Sequence, residues 1–375
     1  MENNSILSYN RQIDGLRFYA VFGVLICHFI HFENTYLNRL PFGQGVDLFF
    51  VISGYLITKI LLINKEKILS GDTKTKSVLK SFYFRRSIRI FPIYYLTIFY
   101  LLLINFQNTK DIWVWLITYT TNIYVSIDSH PYIGSFNHLW SLAVEEQFYL
   151  IWPFLILFSP KKHIEKIIIG IVLLSVIFKV WYYQYLGYST AINALTISCA
   201  DSLGLGALLA YWSLYKEYIL NRINKYKFII PLSFLPFLYF IIYPRAYDFV
   251  VVTGNNFLFS LFAFFIVMKA SQMKFTSLPK VLLENSFVVH LGKISYGIYL
   301  YHFFMPDFYN QVKELIPNLI PEGENFRTIF LFITAIGFAE CSWYLVEKPI
   351  MKLKDKFQYS RNSSKVAAPA SATIN

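Results

Sequence analysis

Long apolar runs, each closed by a short polar or basic stretch, set the rhythm of this chain. They fall near 15–32, 43–63, 88–106, 138–158, 167–186, 193–214, 228–243, 249–268, 287–306 and 327–346. Most have the length of a bilayer-crossing helix, about 17–25 residues. Backbone groups in hydrocarbon must bond within their own segment, so each run predicts a helix. The seventh run is blurred by Pro231, Pro236 and Pro244. The pattern predicts an all-α integral membrane protein with about ten transmembrane helices. Residues 107–137 are too polar to span and too apolar for a plain loop, which predicts a re-entrant or interfacial cap. The small, polar residues 357–375 predict a disordered tail behind one transmembrane domain, 1–356. There is no repeat of the period that marks solenoids or propellers.

Composition agrees with this reading. The chain is 56% hydrophobic and only 15% charged, against about 25% charged in soluble domains. A net charge of +12 invites a nucleic-acid partner, but its distribution argues for a membrane. With a cytoplasmic N-terminus, alternate connections carry 26 Lys and Arg, and the opposite side carries five. That asymmetry is the positive-inside pattern. It places both termini in the cytoplasm of a multi-pass cell-membrane protein, with membrane lipids rather than nucleic acid as the acidic neighbour. The first run has no small-residue cleavage site and is read as a retained helix. Cys27, Cys199 and Cys341 form no spacing motif, so neither a disulfide framework nor a metal site is expected.

Ionisable groups inside apolar runs are costly and commonly mark function. Arg17 and His28 are eleven residues apart, which places them on one helix face about 16 Å apart along the axis. Arg17 is expected near one membrane surface and His28 about mid-membrane. His138, Ser141 and Glu145 fall at i, i+3 and i+7, and Gly292, Ser295, Tyr299 and His302 at i, i+3, i+7 and i+10. His28, Glu145 and His302 are therefore expected to meet in one polar chamber. Each polar group also has a structural reading: Ser141, Ser295 and Asp201 can cross-link helices, Asp47 and His138 can be solvated or capping groups, and Lys179 and Glu340 can pair or snorkel.

The basic stretch 64–89 closes on Arg85-Arg86-Ser-Ile-Arg89, arginines after a run of lysines. An ordinary positive flank would explain them, but the forked guanidinium suits phosphate recognition. A phosphorylated ligand beside a membrane chamber suggests a group donor such as coenzyme A.

The motifs Ile13-Asp14-Gly15-Leu16-Arg17 through His28, Gly45-Val46-Asp47 through Ser53-Gly54-Tyr55, Arg86-x-x-Arg89-Ile-Phe-Pro92, Trp140-Ser141-Leu-x-x-Glu145-x-x-Phe148-Tyr149 and Ile294-Ser295-Tyr296-Gly297-x-Tyr299-Leu300-x-His302 together resemble the acyltransferase-3 family. The resemblance runs from about residue 12 to 350. It implies an integral membrane O-acyltransferase that moves an acyl group, acetyl above all, from cytoplasmic acyl-CoA to a hydroxyl of a surface polysaccharide or its lipid-linked precursor. No tightly bound cofactor is implied; acyl-CoA is a substrate. The hydrolase-type extracellular domain of some members is not found here, which leaves direct transfer or hand-over to a separate periplasmic or polysaccharide-assembly partner as expectations.

The expected roles are His28 as base, Glu145 orienting it or the acceptor hydroxyl, and Arg17, Arg86 and Arg89 holding the donor phosphates. Asp14, Asp47, Trp140, Ser141, Ser295, Tyr296, Tyr299 and His302 are expected to line the chamber. The alternatives are a transporter or flippase of a glycan or lipid-linked sugar, and a structural membrane subunit. The first leaves the arginine cluster without a purpose, and the second leaves His28 and Glu145 without one.

Overall fold

The computed structural model describes residues 9–30, 40–127, 133–187, 189, 191–226, 228–242 and 249–353. The expected tail, 357–375, lies outside them. Among the described residues the regular structure is entirely helical, and five helices are long and apolar enough to cross a membrane. The chain is an all-α membrane protein.

The helices follow the apolar runs, with instructive differences. Helix α1 (Arg11–Phe29) opens on the Asn10 side chain, which accepts from the Ile13 amide at 3.2 Å. Helices α2 (Gly45–Leu69) and α3 (Thr75–Leu103) run well beyond the runs that predict them. The basic stretch 64–89 is thus mostly helix with a turn at 70–74, and Arg85, Arg86 and Arg89 lie inside α3 rather than at its entry. The 107–137 segment holds α4 (Thr109–Ile117) and single helical turns, consistent with an interfacial cap.

Next come α5 (Leu139–Phe158), α6 (Lys161–Leu186), α7 (Ala200–Tyr215), α8 (Ile229–Ile242) and α9 (Phe249–Ser271). Helix α7 has only 16 residues, shorter than its run suggests. The ninth run is not one helix. After the short α10 (Ser277–Glu284), it divides into α11 (Ser286–Lys293) and α12 (Ser295–Tyr301), with a break at Ile294, followed by α13 (Met305–Leu315). The last helix, α14 (Glu324–Ser342), continues as a π-helical turn over Trp343–Glu347.

Close backbone contact at glycines brings the central helices together. A Cβ on Gly54 of α2 would lie 2.0 Å from the Leu203 carbonyl oxygen of α7, and one on Gly206 of α7 would lie 2.0 Å from that of Val51. The two helices therefore meet backbone to backbone, as small residues allow in membrane bundles. The same device joins α1 to α10 and α11. A Cβ on Gly15 would stand 2.2 Å from the Leu283 oxygen, and one on Gly292 would stand 1.9 Å from that of Asp14.

Polar groups tie off the helix ends. The buried Lys65 ammonium donates to the carbonyls of Ile156, Leu157 and Ser159 at 2.9, 2.8 and 2.6 Å, closing the C-terminus of α5. The outward faces of α3 and α5 expose Leu96, Phe99, Leu103, Leu150, Ile151 and Phe158, the surface a lipid-facing helix presents.

Candidate active site

A pocket of ≈ 760 Å³, counted out to its open mouth, lies where α1, α2, α3, α5 and α12 converge. Each helix contributes by periodicity. Helix α2 presents Val46, Phe49, Phe50 and Ser53, α3 presents Arg86, Arg89 and Ile90, and α5 presents Ser141, Leu142, Glu145 and Tyr149. Helix α1 adds Arg17. The break at Ile294 turns the chain so that Ser295, Tyr296 and Tyr299 of α12 also face in.

Arg17 of α1 and Arg86 of α3 share one carboxylate neighbour. Glu145 lies among Arg86, Ser53, Tyr149 and Arg17. The Arg86 guanidinium stands over the Tyr149 ring, 4.8 Å from its centroid, and the hydroxyls of Tyr149 and Ser53 are hydrogen-bonded to each other. Arg89 faces Glu347, a buried acid that also accepts from Ser342 Oγ at 3.2 Å. Three guanidiniums facing one pocket form an anion-binding surface. Ser295 Oγ has no hydrogen-bond partner among the described residues, so a buried hydroxyl on the pocket wall is free to serve a ligand.

Beyond Tyr299 the character changes from arginine to histidine. Tyr299 Oη is 2.6 Å from Ser141 Oγ and donates to the His138 carbonyl at 3.2 Å, which separates the pocket from a group of three imidazoles. His28 Nδ1 and His302 Nε2 are 3.0 Å apart. The rings of His138 and His302 meet edge to face at 5.0 Å, and Phe303 stacks on His138 at 5.0 Å. His28 lies in the last turn of α1, which ends at Phe29 rather than continuing to residue 32, and is exposed.

The single chamber expected from the sequence is thus two adjoining sites. Arg17, Arg86, Arg89, Glu145, Ser141, Ser295, Tyr296 and Tyr299 line the pocket. His28 and His302 meet each other but not the pocket, and the partner of His28 is His302 rather than Glu145. Seven residues separate Glu145 from His138, about 10 Å along α5, which leaves Glu145 two turns away from the imidazoles.

Three further lining assignments are corrected. Asp47 is one residue past Val46, about 100° around α2. It faces α7, where Ser202 Oγ donates to it at 3.2 Å beside the buried Lys179–Asp201 ion pair. Trp140 turns aside from Ser141 and packs edge-on against Phe50, with ring centroids 6.2 Å apart. Asp14 lies a turn before Arg17, 3.9 Å from its guanidinium, with its carbonyl beneath Gly292. Lys179 pairs with Asp201, and Glu340 accepts from His290 Nε2 across 2.6 Å, so both have structural partners away from the pocket.

Ser53 and Tyr149 line the pocket although the sequence reading gives them no role beyond membership of the motifs, and Glu347, buried beside Arg89, is not singled out there at all. The Glu347-Lys348-Pro349 sequence looks like an ordinary helix flank, and only the π turn carries the carboxylate inward.

This arrangement can be set beside known proteins. The model of the acyltransferase-3 family, described as an acyltransferase domain, matches residues 10–346. The chain belongs to the acyltransferase-3 family. A protein of Staphylococcus aureus (strain MSSA476), named as a candidate O-acetyltransferase, is 32% identical over 92% of this chain and 58% of its own length. The peptidoglycan O-acetyltransferase OatA of Listeria monocytogenes is 30% identical over 92% of this chain and 56% of its own length. The O-acetyltransferase OatA of Staphylococcus aureus (strain NCTC 8325) is 28% identical, covering 92% and 57%. The chain spans a little over half the length of these relatives. No solved structure shows a significant match.

Proposed function

We propose that this protein transfers an acyl group, acetyl above all, from acyl-CoA to a hydroxyl of a cell-surface carbohydrate or its lipid-linked precursor. The observation that carries this reading is the convergence of Arg17, Arg86 and Arg89 with Glu145 on one pocket beside the His28–His302 pair. The named O-acetyltransferase relatives support the same chemistry, and the Listeria name supports a glycan acceptor such as peptidoglycan.

In this reading the guanidiniums hold the donor phosphates, and the thin acyl-pantetheine arm lies along the pocket toward Tyr299. Glu145 lies beside Arg86 and balances its charge. The basic flanks of α2 and α3, with Lys65, Lys67, Lys76 and Lys80, support an orientation with the arginine end on the cytoplasmic side of the cell membrane. The imidazoles then belong to the outer half. For the acyl carbon to reach His28, the Tyr299–Ser141 contact must open.

The step needs aligned reactants and a base. His28 takes the proton from the acceptor hydroxyl as its oxygen attacks the thioester carbonyl. The carbon–sulfur bond then breaks, and the imidazolium returns the proton to the thiolate, giving an ester and free coenzyme A. Ser295, with its unpartnered hydroxyl, is placed to bond the acyl-pantetheine arm inside the pocket, before it passes Tyr299.

Purified protein in vesicles, given acetyl-CoA labelled in the acetyl group and a peptidoglycan or polysaccharide acceptor, should produce labelled ester. His28→Ala should produce none while still binding donor. Normal esterification by a folded His28→Ala protein would remove His28 from the base role. Movement of an unmodified glycan across the membrane without acylation would favour a transporter.

A further inference from the structure

The hydrogen bonds around His302 fix more than its position. His302 Nδ1 lies 2.6 Å from the backbone carbonyl oxygen of Tyr299, one turn earlier. A carbonyl oxygen can only accept, so His302 Nδ1 carries the hydrogen. In the uncharged imidazole the other nitrogen, Nε2, is then an acceptor. That acceptor lies 3.0 Å from His28 Nδ1, so His28 must donate from Nδ1. One arrangement remains for the uncharged pair, with Nδ1–H on both rings and a bare Nε2 on His28.

We infer that His302 is a positioning residue that holds His28 in the Nδ1–H tautomer, so that its Nε2 lone pair stays free to take a proton. An unconstrained imidazole favours the opposite tautomer, with hydrogen on Nε2, which would leave the exposed nitrogen unable to act as a base. The surroundings of His302 make it a rigid holder. It is fully buried, it occupies a tight turn over His302–Phe304, and it is wedged between the rings of His138 and Phe29 at 5.0 and 6.2 Å. His28 remains exposed, with Phe303 edge-on at 4.7 Å. One imidazole is thus locked and the other open to an incoming hydroxyl. In acyl-transfer sites of other folds a carboxylate fixes the tautomer of the catalytic histidine; here a second, neutral histidine does so, relayed from a backbone carbonyl.

The inference rests on the proposed base role of His28, but its first readout does not require activity. Nitrogen-15 NMR of histidine-labelled protein in lipid reports which nitrogen of His28 carries hydrogen. The wild-type protein should show protonated Nδ1 and bare Nε2. His302→Gln, whose carbonyl oxygen can accept in place of Nε2, should preserve that pattern. His302→Leu, with no acceptor, should shift His28 to the Nε2–H form. Glu145→Gln should leave the His28 signals unchanged.

In the transfer assay His302→Leu should lower kcat about 100-fold or more, the scale of general-base catalysis. Its donor KM should stay within about twofold, because the interaction acts on the chemical step. His302→Gln should recover most of the loss. A wild-type His28 with hydrogen on Nε2, or a folded His302→Leu with unchanged tautomer and rate, would overturn the inference. If His302→Leu does not fold, the wild-type and His302→Gln spectra decide the matter. A His28→Ala protein that still transfers would defeat the base assignment while leaving the tautomer result intact, so the two failures are distinguishable.

Discussion

Arg86 offers the most discriminating test of the donor pocket. Its guanidinium has two roles that a simple activity loss would confuse: it faces the cavity beside Glu145 and it rests 4.8 Å over the Tyr149 ring. A charge-assisted hydrogen bond to a donor phosphate is worth about 1.5–3 kcal/mol. Its loss in Arg86→Ala should raise the KM for acetyl-CoA about 10- to 150-fold. The ring contact contributes about 0.5–2 kcal/mol, and its loss would be felt whatever donor is present. The two are separated by running the same variant with acetyl-pantetheine, a thioester with no nucleotide and no phosphate. Arg86→Ala should then show only the ring-contact loss on acetyl-pantetheine and the further 10- to 150-fold rise in KM on acetyl-CoA alone. Arg86→Lys should lie between them, since it keeps the charge but loses the fork. Equal losses on the two donors would refute phosphate recognition by Arg86 and reduce it to a structural contact.

Two further predictions concern the scaffold. Lys179 and Asp201 are each 1% exposed and paired between α6 and α7, with Asp47 alongside through Ser202. Lys179→Met leaves buried carboxylates without their cation, so thermal unfolding in detergent should show a loss of about 3–5 kcal/mol; adding Asp201→Asn should recover much of it, and a single variant as stable as the parent would contradict the pairing. Gly206→Ala puts a methyl group 2.0 Å from the Val51 carbonyl oxygen and should cost about 1–3 kcal/mol by forcing α2 and α7 apart. The same readout applies, and an unchanged midpoint would show that the two helices do not meet backbone to backbone.

Much of the pocket is legible in the sequence because helical period alone tells which residues share a face. Ser141 and Glu145 on α5, Arg86 and Arg89 on α3, and Ser295 and Tyr299 on α12 reach the same cavity for that reason. Period does not tell how each helix is rotated against its neighbours. Asp47 shows the consequence: its apolar neighbours Val46 and Phe50 face the cavity, and a rotation of one residue sends the carboxylate to α7. Axial position is the other unknown. His28 and Glu145 share no level, since α1 ends at Phe29 and Glu145 lies two turns below His138, so the partner of His28 came from a different helix. Glu347 was hidden for a third reason, because a π turn places it where a regular helix would not. The break at Ile294 belongs to the same class: nothing in an apolar run marks the point where Gly292 must settle on the Asp14 carbonyl.

The central claim is that one protein holds a phosphorylated donor at its arginine end and performs acyl transfer at His28 toward the other side of the membrane. Oriented vesicles test it most directly, with acetyl-CoA carrying a labelled acetyl group sealed on the side of the basic flanks and a membrane-impermeant glycan acceptor supplied only on the opposite side. The account predicts labelled ester on the glycan, none when both substrates are confined to the opposite side, and none with His28→Ala. Ester formation that requires donor and acceptor on the same side, or that proceeds without His28, would contradict it.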